Sequence, residues 1–207
     1  MRLYCVRHGE SVANTENIFS NRDPSIHPLT ALGRQQAAGT AEQLAALGVS
    51  FDACYSSDLL RAVQTAQIIG ERLGLPCEVR RELREHDAGD VQGRSDAAAW
   101  EEYEGLLRRW FRDGDHNAHL DGGESLVELR ARFSGFLAWL EALHGPQAVI
   151  LLVAHGALFL SSIMGLVDNV SDAFVREQQM PNGAIIVIEG QGDQWTCLEW
   201  NGIVLAA

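Results

Sequence analysis

Leu3-Tyr4-Cys5-Val6-Arg7-His8-Gly9-Glu10 is the stretch around which the chain is organised. An apolar, strand-prone run stops abruptly at an arginine, a histidine and a glycine. In an α/β sheet, ligands sit in the crevice just beyond the C-terminal ends of the strands. Arginine brings a rigid cationic fork that suits phosphate or carboxylate. Histidine brings a ring nitrogen that can attack, accept or donate a proton. Glycine lets backbone come close to a ligand. The stretch therefore reads as a strand, Arg2–Arg7, running into the floor of an anion site with His8 as candidate nucleophile.

Working outward, Val149–Ala154 is the clearest other strand. It is continuously apolar, as a parallel strand buried on both faces must be, and it too ends in His-Gly, at His155-Gly156. Shorter strands are expected at Phe51–Tyr55 and Cys77–Val79, and two closing strands at Ala184–Ile188 and Trp195–Trp200. Helices alternate with them. Thr30 caps one that runs to Leu47, with Gly48 as its stop. Ser56-Ser57-Asp58 is expected to cap a second, with Arg61 in its first turn and Gly74 at its end. Ala97–Phe111 carries an apolar face, Ser125 to Glu128 form a capping box before a long helix to His144, and a short helix follows His155. Such alternation predicts one α/β domain of residues 1–207. Its mostly parallel central sheet lies between helix layers, a three-layer α/β/α sandwich. Residues 11–28 form a polar, turn-rich loop, long enough to be functional.

Composition narrows the partners. The formal charge is −12, which argues against nucleic acid and against an anionic membrane surface. No apolar run approaches the ~20 residues of a membrane span, and no signal peptide is visible. All 16 basic residues are arginine. Schiff-base chemistry and a P-loop lysine are therefore absent, and guanidinium groups can bind and polarise but not act as bases. The four cysteines form no CxxC; Cys5 and Cys54 read as small buried hydrophobes, consistent with a reducing cytoplasm.

Three strand ends should share one sheet edge, bringing together Arg7-His8, the turn before Arg61, and His155. Two arginines on one edge suit an oxyanion with several oxygens, phosphate better than carboxylate. Helix N-termini after Ser57 and at Gly156 would add backbone N–H donors. A cation in a helix's first turn is electrostatically disfavoured, which singles out Arg61. Positive neighbours would keep His8 neutral, with its second ring nitrogen fixed by an acceptor such as a backbone carbonyl. A zinc site is the rival reading, but no HxH or HExxH spacing is present and the arginines would repel a cation. A leaving oxygen needs a proton donor. Glu85, His86 and Asp87 stand in a row, and spacing does not choose among them.

The motifs taken together resemble the histidine phosphatase superfamily. They are Arg7-His8-Gly9-Glu10-Ser11 with Asn14; Pro28-Leu29-Thr30 with Gly33 and Gln36-Ala37; and Ser56-Ser57-Asp58-Leu59 with Arg61-Ala62 and Gln64-Thr65-Ala66. Leu83-Arg84-Glu85, Gly89, Gln92-Gly93, Gly122-Gly123-Glu124-Ser125 and Val153-Ala154-His155-Gly156 follow in the family's order. The resemblance implies a phosphoglycerate mutase-like fold and a phosphohistidine at His8. Arg7, Arg61 and His155 would hold the phosphoryl group, and Asn14, Ser11 and Gly156 would belong to the substrate pocket. It also implies Glu85 as the general acid, no metal and no cofactor.

Within the family, mutases carry a longer insertion rich in basic residues after the acid. Here residues 86–122, the expected lid and specificity insertion, hold nine Asp/Glu and four Arg, and His86 stands where a mutase typically has arginine. The favoured expectation is thus a cytoplasmic hydrolase of a small phosphate monoester. A phosphoglycerate mutase is the alternative, and an inactive phosphate-binding module the second. The lid aromatics Trp100, Tyr103, Trp110 and Phe111 could form an apolar substrate wall, although helical spacing favours a lid core. The last strands could support a homodimer.

Overall fold

The computed structural model describes residues 1–206, apart from the side chains of Asp172 and Arg176. In chain order the elements are β1 (Arg2–Arg7), α1 (Val12–Thr15), α2 (Ala31–Ala46), β2 (Ala53–Ser56), α3 (Leu60–Leu73) and β3 (Cys77–Val79). Short 3-10 turns at Arg81–Leu83 and Gly89–Val91 lead to α4 (Ala97–Phe111) and α5 (Leu126–His144). Then come β4 (Val149–Ala154), α6 (Gly156–Ile163), α7 (Asp172–Gln178), β5 (Ile185–Gln191), β6 (Gln194–Trp200) and β7 (Ile203–Val204).

The strands form one sheet in the order β3-β2-β4-β1-β5-β6-β7. The pairings from β3 through β1 are parallel, and β5, β6 and β7 add on antiparallel. Side chains alternate across the sheet, as strand geometry requires. Leu3, Cys5, Ile150, Leu152 and Ala154 pack on α5 and α6 through Phe133, Leu137 and Phe159. Tyr4, Val6, Leu151 and Val153 face α2 and α3 through Leu44, Ala66 and Ile69. The strongly apolar β1 and β4 are therefore buried on both faces in a three-layer α/β/α architecture.

Local chemistry differs from expectation at three places. The start of α3 is not capped by Ser56 to Asp58. Leu59 is the N-cap and has no side-chain cap; Ser57 Oγ accepts from the Leu59 N–H at 3.3 Å, and Asp58 turns away to take both forks of Arg84 at 2.6 Å. α1, α7 and β7 are too short to show a period. Cys54 is not a free buried thiol: it is bonded to Cys77. The register of β2 against β3 sets Cys54 directly opposite Cys77 with Cα atoms 4.4 Å apart, inside the range a disulfide needs. Cys5 is free and buried, as expected.

Residues 86–122 fold over the C-terminal edge of the parallel strands. Asp96 caps α4 by accepting from Ala99 N–H at 3.0 Å. α4 then seals two small cores, one around Phe19, Ala88 and Val91, the other around Leu106, Trp110 and Leu126. No described helix is long and apolar enough to cross a membrane.

Candidate active site

The register pairs Arg7 with Ala154, so His8 and His155 leave the sheet side by side. The His8 N–H donates to the Ala154 carbonyl at 3.0 Å, and the two ring centroids lie 5.1 Å apart. His8 is 3% and His155 0% exposed. Gly9 serves a purpose other than ligand approach. A Cβ there would stand 2.2 Å from the Gly33 carbonyl oxygen, so Gly9 is what lets the first turn of α2 pack on the loop after β1.

His8 Nδ1 lies 2.7 Å from the Gly9 carbonyl oxygen. A carbonyl only accepts, so Nδ1 carries the proton and Nε2 keeps its lone pair. Arg61 Nε donates to that Nε2 at 3.1 Å. The other two Arg61 nitrogens donate to the Ser20 carbonyl at 2.7 Å and to Asn21 Oδ1 at 3.1 Å. From the other side Arg7 Nη1 donates to the Met180 carbonyl at 2.5 Å. Gly156 makes room for Arg7: a Cβ there would lie 3.2 Å from Arg7 Nε.

Among the described residues neither guanidinium forms an ion pair, and buried Arg7 Nε, His155 Nδ1 and His155 Nε2 have no hydrogen-bond partner. Buried polar groups are nearly always paired. Two cations and three unpaired nitrogens around one imidazole make a cradle for an oxyanion. Burial pushes Arg61 down to about 10, still a cation at neutral pH. Burial first, then Arg61 and Arg7, hold His8 well below the ordinary histidine value; His155 is depressed by burial and by Arg61, His8 and Arg7 in turn.

A pH prediction follows. The folded protein refuses a proton that an unfolded histidine takes up below ~6.5. His8 should therefore stay neutral, as the Nδ1–H tautomer, at pH 6 and below, and its refusal should cost stability as pH falls through that window. Imidazole 15N NMR of the ligand-free protein checks this. A His8 midpoint at or above 6.5 would contradict it.

Of the three adjacent candidates, only Glu85 lines the same cavity as Arg7, His8 and Arg61. Its Oε1 accepts from Leu158 N–H at 2.7 Å and His86 N–H at 2.9 Å, and its Oε2 from Ala157 N–H at 3.0 Å. It is thereby clamped to the start of α6. His86 is turned into the lid core, with its ring 4.8 Å from Trp110 and its Nε2 2.7 Å from the Glu124 carbonyl. Asp87 faces outward, paired with Arg22.

Asn14 lines the cavity, with its oxygen occupied by the Ser11 N–H and hydroxyl at 3.0 Å each. The amide nitrogen, a donor, is left for a ligand. Ser11 is fully buried and orients Asn14 rather than lining the cavity. Gly156 lines it, and the His155 ring stands edge-on to His8 with centroids 5.1 Å apart. The cavity measures about 700 Å³. Trp100, Tyr103 and Phe111 face it, whereas Trp110 is lid core, 1% exposed.

The geometry meets its counterparts in known proteins. A family model, "Histidine phosphatase superfamily (branch 1)", matches residues 3–203. The chain belongs to this superfamily. It is 35% identical over 204 residues to the "Probable phosphoglycerate mutase GpmB" of Salmonella paratyphi B, covering 97% of this chain and 90% of that one. Among solved structures it is similar to a mycobacterial glucosyl-3-phosphoglycerate phosphatase in complex with VO3, with TM-score 0.81 and 31% identity over 98% of this chain and 99% of that one. It is also similar to the alpha-ribazole phosphatase of Shigella flexneri, with TM-score 0.76 and 27% identity over 100% and 99%. Relatives of this histidine phosphatase chain are thus phosphatases and mutase-like proteins, which supports a phosphatase or a mutase.

Several further residues shape the site. Ser20 and Asn21 aim Arg61, the Met180 carbonyl aims Arg7, and Asn182 Nδ2 donates to the His8 carbonyl at 2.9 Å. Thr65 Oγ1 accepts from the Gly9 N–H at 3.1 Å. Thr65 lies in the quoted Gln64-Thr65-Ala66 motif and Ser20 and Asn21 in the polar 11–28 loop, but residue type and spacing assigned them no role.

Proposed function

We propose that this histidine phosphatase is a phosphomonoesterase that works through phosphohistidine. One observation carries the reading: an imidazole with its Nδ1 proton pinned turns its Nε2 lone pair toward the Arg61 guanidinium, and among the described residues neither Arg61 nor Arg7 beside it forms an ion pair. The phosphoryl oxygens occupy the cradle of Arg7, Arg61, His155 and Asn14. His8 Nε2 attacks phosphorus, a P–N bond forms, and the P–O bond to the alcohol breaks in line. The leaving oxygen takes a proton from Glu85. Two N–H donors fill Oε1 and one fills Oε2. The spare lone pair is therefore on Oε2, and there the proton rides. Water then attacks the phosphohistidine, Glu85 carboxylate takes the water's proton, and His8 Nε2 leaves with its lone pair restored. Every cation set against the phosphoryl group in this scheme is a protein side chain. Among the described residues no three His, Cys, Asp or Glu groups gather to hold a metal.

Hydrolysis is favoured over transfer by the lid. A mutase must retain a bisphosphate, and residues 86–122 are acidic, with His86 buried in the lid core instead of facing the cavity. Similarity to two solved phosphatases supports the same choice. The mutase reading rests on the 35% identity to a mutase-named relative. Incubation with 3-phosphoglycerate, with and without a catalytic bisphosphate, separates them. Release of inorganic phosphate, unaffected by the bisphosphate, is expected; bisphosphate-stimulated formation of 2-phosphoglycerate without phosphate release would make the protein a mutase.

A further inference from the structure

The cavity has two chemically different ends. Its inner end holds Arg7, His8, Arg61 and Glu85. Beyond them the walls are mostly hydrocarbon, interrupted by Tyr103, Ser161 and Gln179. Ile18, Trp100, Leu107 and Phe111 come from the 11–28 loop and α4, and Leu160 and Met164 come from α6 and its end. The lid aromatics are set by mutual packing, with Phe19 and Trp100 centroids 4.3 Å apart and Phe19 and Tyr103 5.0 Å apart, so the wall is preformed. The Trp100 indole N–H is consumed by the Asn17 carbonyl at 3.0 Å and offers a ligand only its ring. The two arginines on this side, Arg108 and Arg112, are exposed and stand at the rim.

A volume near 700 Å³ suits a ligand much larger than phosphate. A sugar or glyceric acid placed there would set most of its hydroxyls against hydrocarbon, with Tyr103, Ser161 and Gln179 as scattered partners, and each group left unpaired is costly. An apolar body would instead gain from burial. The geometry points to a leaving group that is a bulky apolar alcohol: the substrate is the phosphate monoester of an aryl-alkyl or long-chain alcohol, not of a polyol. This deepens the phosphomonoesterase reading and rests on it.

The test compares primary alkyl phosphates, for which the bond broken is the same. 2-Phenylethyl phosphate and octyl phosphate are set against glycerol 3-phosphate and 3-phosphoglycerate, with 4-nitrophenyl phosphate as a control for the chemistry. The apolar esters should show kcat/KM about 10- to 100-fold higher, the gain expected from burying one such side group. Most of it should lie in KM. Leu107→Asn and Phe111→Ser, each checked for folding by thermal melt, should pull the apolar-to-polar selectivity ratio down toward one. If 4-nitrophenyl phosphate is hydrolysed but glycerol 3-phosphate or 3-phosphoglycerate is preferred, the specificity inference is wrong and the phosphatase reading stands. If the ratio is high but unmoved by both variants, this wall is not what selects, and the inference fails. If no ester releases phosphate, both readings fall.

Discussion

Replacing His8 by alanine should lower hydrolysis of 4-nitrophenyl phosphate by ~10⁴-fold or more, the scale on which loss of a covalent nucleophile is felt. The size of the effect follows from the geometry. Arg61 Nε is aimed at His8 Nε2, which marks that nitrogen as the one that meets the anion. Asn14 and Asn182 supply amides, and Ser11 is buried with its hydroxyl bonded to Asn14. The fold should survive, because His8 makes only one side-chain bond to its own neighbour, Gly9, and one to Arg61. Inorganic phosphate should still bind, since both arginines and Asn14 remain. Calorimetric titration with phosphate and a thermal melt, run beside the activity assay, check this. Residual turnover within about tenfold of the wild type would mean that His8 holds the anion and that another group attacks it.

Glu85→Gln should produce a loss that depends on the leaving group. Alkyl phosphates, whose alkoxides need a proton, should lose ~10²- to 10⁴-fold, the usual worth of a general acid. 4-Nitrophenyl phosphate leaves without help, so its first step should be nearly intact. Its second step should be slow, because the water then lacks its base. A burst of one nitrophenol per active site, followed by slow turnover, is the expected trace. The contrast between substrates matters because Glu85 also binds three backbone N–H groups, two of them at the start of α6. Glutamine can accept with only one of its two termini, so some local loosening is expected. That loosening would lower all substrates alike. Equal losses on alkyl and aryl phosphates, with no burst, would assign Glu85 the role of clamping α6 and leave the proton donor elsewhere.

Much of this site could be read before the fold was known, for a physical reason. β1 and β4 are continuous apolar runs, so their course through the sheet centre is dictated by burial, and each ends at a His-Gly pair. Parallel pairing then brings His8 and His155 together whatever the loops do. Arg61 was legible because a cation in a helix's first turn is electrostatically out of place, and the structure buries it. What failed was whatever depends on register or on distant backbone. Cys54 meets Cys77 only because β2 and β3 pair without an offset. Leu59, not the serines before it, is the N-cap of α3, and Asp58 is claimed by Arg84 from another part of the chain. The Ser20 and Met180 carbonyls aim the two arginines, and a carbonyl has no residue type to betray it. Helical spacing favoured a lid core for all four aromatics. The structure divides them, since Trp110 is core and the other three face the cavity.

The central claim is a phosphoryl group carried by His8. It is tested most directly by mixing the protein with 32P-labelled 4-nitrophenyl phosphate, quenching in base within milliseconds, and mapping the label by peptide mass spectrometry. Base-stable, acid-labile label on the peptide holding His8, absent from the His8→Ala protein, is the expected result. Phosphate release at full rate with no label on His8 at any quench time, or with label on another residue, would contradict it.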